Sequence, residues 1–147
     1  MLKVLIAEDE LMIADLLEET LTASGYEVCG IARTVDEAVA LAERHNPDLA
    51  VLDVRLARGG RGTDIARRLS NRGTMGILYA TGDDVRHSTL TLADGNASIA
   101  KPYQHEDIVR SLLIIREIMT AGTATRAFPP GFRLLPEPAR SPLALSV

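Results

Sequence analysis

The chain has 147 residues, of which 46% are apolar and 24% charged, with a formal net charge of -4 at pH 7, the proportions of one globular domain. No run of basic residues forms the stripe that a nucleic-acid-binding face needs, and no apolar run approaches the roughly 18 residues of a membrane span. The single cysteine, Cys29, excludes a disulfide framework. Together with the absence of a signal-peptide layout, this makes the cytoplasm the expected location, with neither nucleic acid nor membrane as a partner.

Short apolar runs alternate with helical patterns along the chain, which predicts a doubly wound α/β fold with helices on both faces of a parallel sheet. Leu2 to Ala7 is the first strand, apolar but for Lys3. A helix opens near Leu11, with Ile13, Leu16, Leu17 and Leu21 at helical spacing and Gly25 as its stop. Tyr26 to Ala32 is the second strand, with Cys29 as a small buried hydrophobe. Thr34-Val35-Asp36-Glu37 has the form of a capping box, and the helix it opens ends near Asn46-Pro47.

Leu49 to Leu52 is a third strand that stops at Asp53, followed by the glycine-rich loop Arg58-Gly59-Gly60-Arg61-Gly62. Thr63 is expected to cap a helix reaching about Arg72. Ile77 to Ala80 is the fourth strand, ending at Thr81-Gly82, and Val85 to Ala93 has a weak helical pattern with mixed faces. Ala97 to Ala100 is a short fifth strand before Lys101-Pro102. A last helix runs from about Glu106 to Met119, with acids in its first turn where the helix dipole favours them. From Ala121 onward the helical period is lost, and five of the seven prolines fall there. This 121–147 tail is too short for an output domain. It is either an extended arm anchored by Phe128, Phe132 and Leu134 or a loosely held terminus.

In an open parallel sheet, functional groups collect beyond the carboxyl ends of the strands. Here those ends carry Glu8-Asp9-Glu10, Asp53, Thr81 and Lys101-Pro102. If strands one, three, four and five are central, these side chains meet in one crevice. Crowded carboxylates repel one another, and a hard divalent cation such as Mg²⁺ removes that penalty. Asp53 then suits an aspartyl-phosphate nucleophile, with the Lys101 ammonium and the Thr81 hydroxyl directed at phosphoryl oxygens. Each motif has an ordinary explanation by itself, such as a helix start, a cap or a turn. His45, His87 and His105 share no metal-ligand spacing and are expected at the surface.

The order acidic pair, Asp, Thr and Lys-Pro, each at a strand end, resembles the receiver domain of bacterial two-component response regulators over about residues 1 to 120. The resemblance implies a flavodoxin-like sheet of five parallel strands in the order 2-1-3-4-5. It implies that Glu8, Asp9, Asp53 and the Arg55 main-chain carbonyl hold Mg²⁺. Asp53 would accept a phosphoryl group from a histidine kinase or histidine phosphotransfer protein, and Thr81 and Lys101 would respond to it. It also implies a cis peptide before Pro102 and a signal that leaves by contact with a downstream protein. Tyr79-Ala80-Thr81-Gly82 is similar to the Phe-Ala-Thr-Gly signature of a stand-alone alphaproteobacterial subgroup, although Asp83 and Asp84 depart from it.

Ser98 stands where the family usually has an aromatic switch residue, which motivates a rival: a receiver-like module that signals without phosphorylation. A second rival, an aspartate-nucleophile phosphatase, would need an acid where Arg55 stands. Arg55 and Asp83 are expected to pair across the mouth of the site. In the last helix, Ile108, Val109, Leu112, Leu113, Ile114, Ile115, Ile118 and Met119 exceed the usual apolar stripe. They point either to a homodimer face or to deeper burial beneath the tail.

Overall fold

A computed structural model of the chain describes residues 1–69, 72–82 and 88–139. In chain order the elements are β1 (Lys3–Ala7), α1 (Leu11–Ala23), β2 (Glu27–Ala32), α2 (Val35–His45), β3 (Leu49–Asp53), α3 (Gly62–Arg68), β4 (Gly76–Thr81), β5 (Ala97–Ala100), α4 (His105–Ala121) and β6 (Phe132–Leu134). The sheet order is β2-β1-β3-β4-β5-β6. The first five strands are parallel, and β6 runs antiparallel to β5. The expected 2-1-3-4-5 order therefore stands, with a sixth strand from the tail added at the β5 edge.

Strands buried on both faces cannot alternate polar and apolar residues, and β3 and β4 are buried along their whole length. Val4, Ile6, Val51, Leu78 and Ile99 pack on one face with Ala14, Leu17 and Leu21 of α1 and Ile108, Leu112 and Ile115 of α4. Leu5, Ala50, Leu52, Ile77 and Tyr79 pack on the other with Ala38 and Val39 of α2 and Ile65 and Ala66 of α3. The predicted cap of α2 forms: the Glu37 amide donates to Thr34 Oγ1 at 3.2 Å, while Glu37 Oε2 accepts from the Arg33 amide at 3.0 Å. Cys29 is half-buried on the outer strand β2.

Two helix expectations need correction. Thr63 does not cap α3; the helix begins at Gly62, and Asp64 Oδ2 accepts from the Arg61 amide at 3.2 Å. Its start is instead pinned to the end of β3, because the Gly62 amide donates to the Val54 carbonyl at 3.0 Å. A Cβ on Gly62 would collide with the Asp53 carbonyl oxygen, so no larger residue fits. The helix also ends early, at Arg68, where Leu69 turns into the core. The second correction concerns the weak pattern over Val85 to Ala93. Residues 83–87 lie outside the described residues, and with them the Arg55–Asp83 pairing, Asp84 and His87. Residues 88–93 are not helical. There the Thr91 amide donates to Asp94 Oδ2 at 3.0 Å and the Ala93 amide to Thr91 Oγ1 at 3.2 Å. Side chains of this type offer the backbone partners outside a helix.

Over its described residues, 121–139, the tail is neither a loose terminus nor an arm lying on a surface. Gly122, in the left-handed region, ends α4, and the chain returns to pair with β5. The Ala100 amide donates to the Gly131 carbonyl at 3.0 Å, and the Leu135 amide donates to the Asn96 carbonyl at 3.0 Å. Phe132 is buried in the α1/α4 core, with Phe128 edge-on to its ring at 4.9 Å, and Leu135 is buried on the opposite face of the sheet. Phe128 and Leu134, two of the expected anchors, stay largely exposed. Burial explains the apolar excess of α4: Ile108, Leu112, Ile114 and Ile115 are fully buried, whereas Leu113 is 38% exposed.

Candidate functional site

The residues singled out in the sequence meet at the carboxyl edge of the sheet. Glu8 and Asp9 follow β1, Asp53 is the last residue of β3, Thr81 the last of β4, and Lys101 follows β5. Parallel register sets their level. Ala7 pairs with Leu52, Asp53 with Ala80 and Thr81 with Ala100, so consecutive strands end within a residue of one another. The Lys101 amide donates to the Thr81 carbonyl at 2.8 Å, and the peptide between Lys101 and Pro102 is cis, as expected. The site lies at a topological switch: from β1 the chain moves outward to β2 and then back past β1 to β3.

Asp53 is nearly buried, and both its oxygens are held. Lys101 Nζ donates to Oδ2 at 2.8 Å, and the Arg55 amide donates to Oδ1 at 3.3 Å. Lys101 Nζ also stands 3.6 Å from Glu8 Oε1, so one ammonium faces two carboxylates. Glu8 Oε2 accepts from the Glu10 amide at 3.2 Å. A cavity of about 340 Å³ opens above Asp53, walled by Asp9, Arg55, Thr81 and Lys101, with Glu10 and Gly82 at its rim. Arg55 also pairs with Arg61 in an antiparallel bridge that closes the loop after β3.

Electrostatics bear the marks of crowding. Burial pushes the Glu8 carboxyl up to about 7, and the Asp53 charge adds to the rise, against the Glu10 amide and Lys101, which lower it. Burial would lower the Lys101 ammonium, but the hydrogen bond and charge of Asp53 and the charge of Glu8 outweigh it, and the net shift is upward. Tyr103, beside this cluster, is pushed up to about 12 by burial and by the Glu8 charge. Glu8, Asp9 and Asp53 each offer a carboxylate oxygen, and the three atoms lie within 4.8 Å of one another. An all-oxygen, anionic donor set of this size suits a hard divalent cation such as Mg²⁺ and would relieve the repulsion that raises Glu8. The residues present fit the ion.

All six expected residues are thus brought together, Arg55 through its amide and its place in the cavity wall. Tyr103 was missed: nothing in its local sequence shows that Pro102 turns the following residue toward the acids. His105 is half-buried, and its Nε2 is buried with no hydrogen-bond partner among the described residues.

Residues 4–113 match the family described as the response regulator receiver domain. The chain belongs to the response regulator receiver family. Over 112 residues it is 36% identical to the transcriptional regulatory protein PdtaR of Mycobacterium tuberculosis, covering 75% of this chain and 54% of that one. It is 35% identical over 107 residues to the phyllosphere-induced regulator PhyR of Methylorubrum extorquens, covering 72% of this chain and 40% of the relative. This receiver therefore spans about half the length of those relatives. A CheY-like receiver domain from Methanospirillum hungatei superposes with a TM-score of 0.71 at 28% identity, covering 82% of this chain and 98% of that one. Receivers are phosphoacceptors that bind Mg²⁺ in an acidic pocket and interact with kinases and downstream proteins. In this receiver β6 lies beyond the matched residues, and no helix among the described residues is long and apolar enough to cross a membrane.

Proposed function

We propose that Asp53 is the phosphoacceptor of this receiver, charged by a histidine kinase or a histidine phosphotransfer protein. One observation carries the reading: a nearly buried carboxylate with one oxygen on Lys101 Nζ at 2.8 Å and the other on a backbone amide, at the floor of an open cavity. An Asp53 carboxylate oxygen attacks the phosphorus of phosphohistidine, the P–N bond breaks, and the imidazole leaves as its proton is restored. Glu8, Asp9, Asp53 and the Arg55 carbonyl are the groups that would hold Mg²⁺. Once bound, it neutralises charge on the phosphoryl oxygens. Lys101, held by its backbone bond to Thr81, keeps its ammonium within reach of those oxygens, and the Thr81 hydroxyl is a donor on the same wall.

Incubation with acetyl phosphate and Mg²⁺, followed by intact mass measurement, tests this reading. The wild-type chain should gain one phosphoryl group and Asp53→Asn none; equal labelling of both overturns the assignment.

The same reading divides the chain into a receiver over 1–120 and a tail over 121–147, whose residues Phe132–Leu134 add β6 to the sheet. It places the chain in the cytoplasm, with the signal leaving by contact with a downstream protein. A homodimer through α4 is the weaker part, because burial already accounts for most of that helix's apolar residues. A second reading, a partner-binding module that works without phosphorylation, is favoured by Ser98, a small buried residue in place of an aromatic. The phosphorylation experiment separates the two.

A further inference from the structure

Residues 88–96, between β4 and β5, have no helix to hold them. Their anchors come from elsewhere. The Leu92 amide donates to the Pro136 carbonyl at 2.8 Å, and the Asn96 carbonyl accepts from the Leu135 amide at 3.0 Å. Ser88 Oγ is a node, accepting from the Leu90 amide at 3.3 Å and from Arg133 Nη2 at 3.1 Å. Arg133 belongs to β6 and sits directly opposite Ser98 of β5, which is level with Tyr79 of β4. A small residue at 98 leaves the guanidinium of Arg133 room to pass on that face of the sheet and reach Ser88. A bulky aromatic at 98 would compete for that space.

The held segment is also a wall. Ser88, Thr89 and Leu90 line a cavity of about 370 Å³ together with Arg55 and Thr81, and those last two also wall the cavity above Asp53. The tail thus bonds next to the site at two points, through Arg133 to Ser88 on the wall of this second cavity and through Gly131 to Ala100, the residue before Lys101.

We infer that Arg133 is a positioning residue that latches residues 88–90 beside the site and so sets how long a phosphoryl group persists on Asp53. This rests on the phosphoacceptor reading above. With the latch closed, residues 88–90 hold the far side of the Arg55–Thr81 wall in place and slow the approach of water to the acyl phosphate. With it open, water attacks phosphorus, the bond to the Asp53 oxygen breaks, and inorganic phosphate leaves as the carboxylate is restored. Arg133 of β6, passing over the small Ser98, is then the partner of residues 88–90.

The test is a double-mutant cycle on Arg133→Ala and Ser88→Ala in the full chain, with two readouts. Amide hydrogen exchange at Leu90 and Leu92, without phosphodonor, reports the latch itself. Decay of the phosphorylated species by intact mass reports its effect. Arg133→Ala should speed both by about three- to tenfold, the size of one lost hydrogen bond of ordinary net strength. Ser88→Ala, which also frees the Leu90 amide, should speed both at least as much, and the double variant should add little to it. Additive effects, or an unchanged phosphoryl lifetime, overturn the proposal; a merely structural role would lower stability and leave the lifetime alone. If no variant nor the wild type gains a phosphoryl group, the assignment of Asp53 fails and the lifetime claim falls with it. Hydrogen exchange then still decides whether the latch exists.

Discussion

The half of the sheet formed by β2, β1 and β3 and the half formed by β4, β5 and β6 reach the same edge by different means. In the first, α1 and α2 span 13 and 11 residues and connect parallel strands, each packed by a periodic apolar face. In the second, the described part of the β4–β5 connection is non-helical and is held by Ser88, Thr91, Asp94 and Asn96 side chains and by the returning tail. The first half supplies the acids and the second supplies Thr81 and Lys101. Many small contacts share the load where helices cross, so single substitutions there act mainly through core volume. Where discrete hydrogen bonds hold a segment, one residue can matter as much as a helix turn.

The comparison breaks most readily at Phe132. If β6 belongs to the cooperative fold, Phe132→Ala should lower the unfolding free energy by about 3–5 kcal/mol in urea, the usual cost of emptying a buried aromatic site. A loss below about 1 kcal/mol would make the tail an ornament and leave the second half without its cover.

The acids offer a smaller, pH-dependent effect. Glu8 in the folded chain takes its proton at about 7, against an ordinary value of 4.5. Between those values the native state binds more protons than the unfolded one. The stability of the metal-free chain should therefore fall as pH rises through that window. Mg²⁺ competes with the same proton, so its affinity measured by calorimetry should weaken below about pH 7, by up to about tenfold per unit. Glu8→Gln should flatten both slopes, and slopes that survive it would assign the proton elsewhere.

The smallest contrast concerns two threonines. Thr34→Ala removes a formed cap and should cost about 1 kcal/mol, whereas Thr63→Ala, inside the first turn of α3, should stay within about 0.5 kcal/mol. Thermal or urea unfolding of the two variants decides it.

The candidate site was almost fully legible. Glu8, Asp9, Asp53, Thr81 and Lys101 each follow an apolar run, and strand ends in a parallel sheet converge whatever the helices do. The regular strands were legible for the same reason, since strands buried on both faces carry continuous apolar runs. Elements that depend on partners far along the chain were not. Phe132 and Leu134 alternate with Arg133 over only three residues, too short a pattern to separate a strand from a proline-rich coil. The length of α3 was overestimated because its start is set by the approach of Gly62 to the Asp53 carbonyl and its end by the burial of Leu69.

What the sequence determined by itself was therefore local and periodic: five strands, the regular helices, the capping box at Thr34, and the chemistry placed at each strand end. Only the tertiary structure decided that the tail returns as β6, that the α4 apolar surface is spent on burial, and that Arg133 meets Ser88 across 45 residues of chain. The physical reason is range: a side chain's own neighbours set its backbone preference, but which distant edge a short strand completes depends on the surface the rest of the fold leaves open.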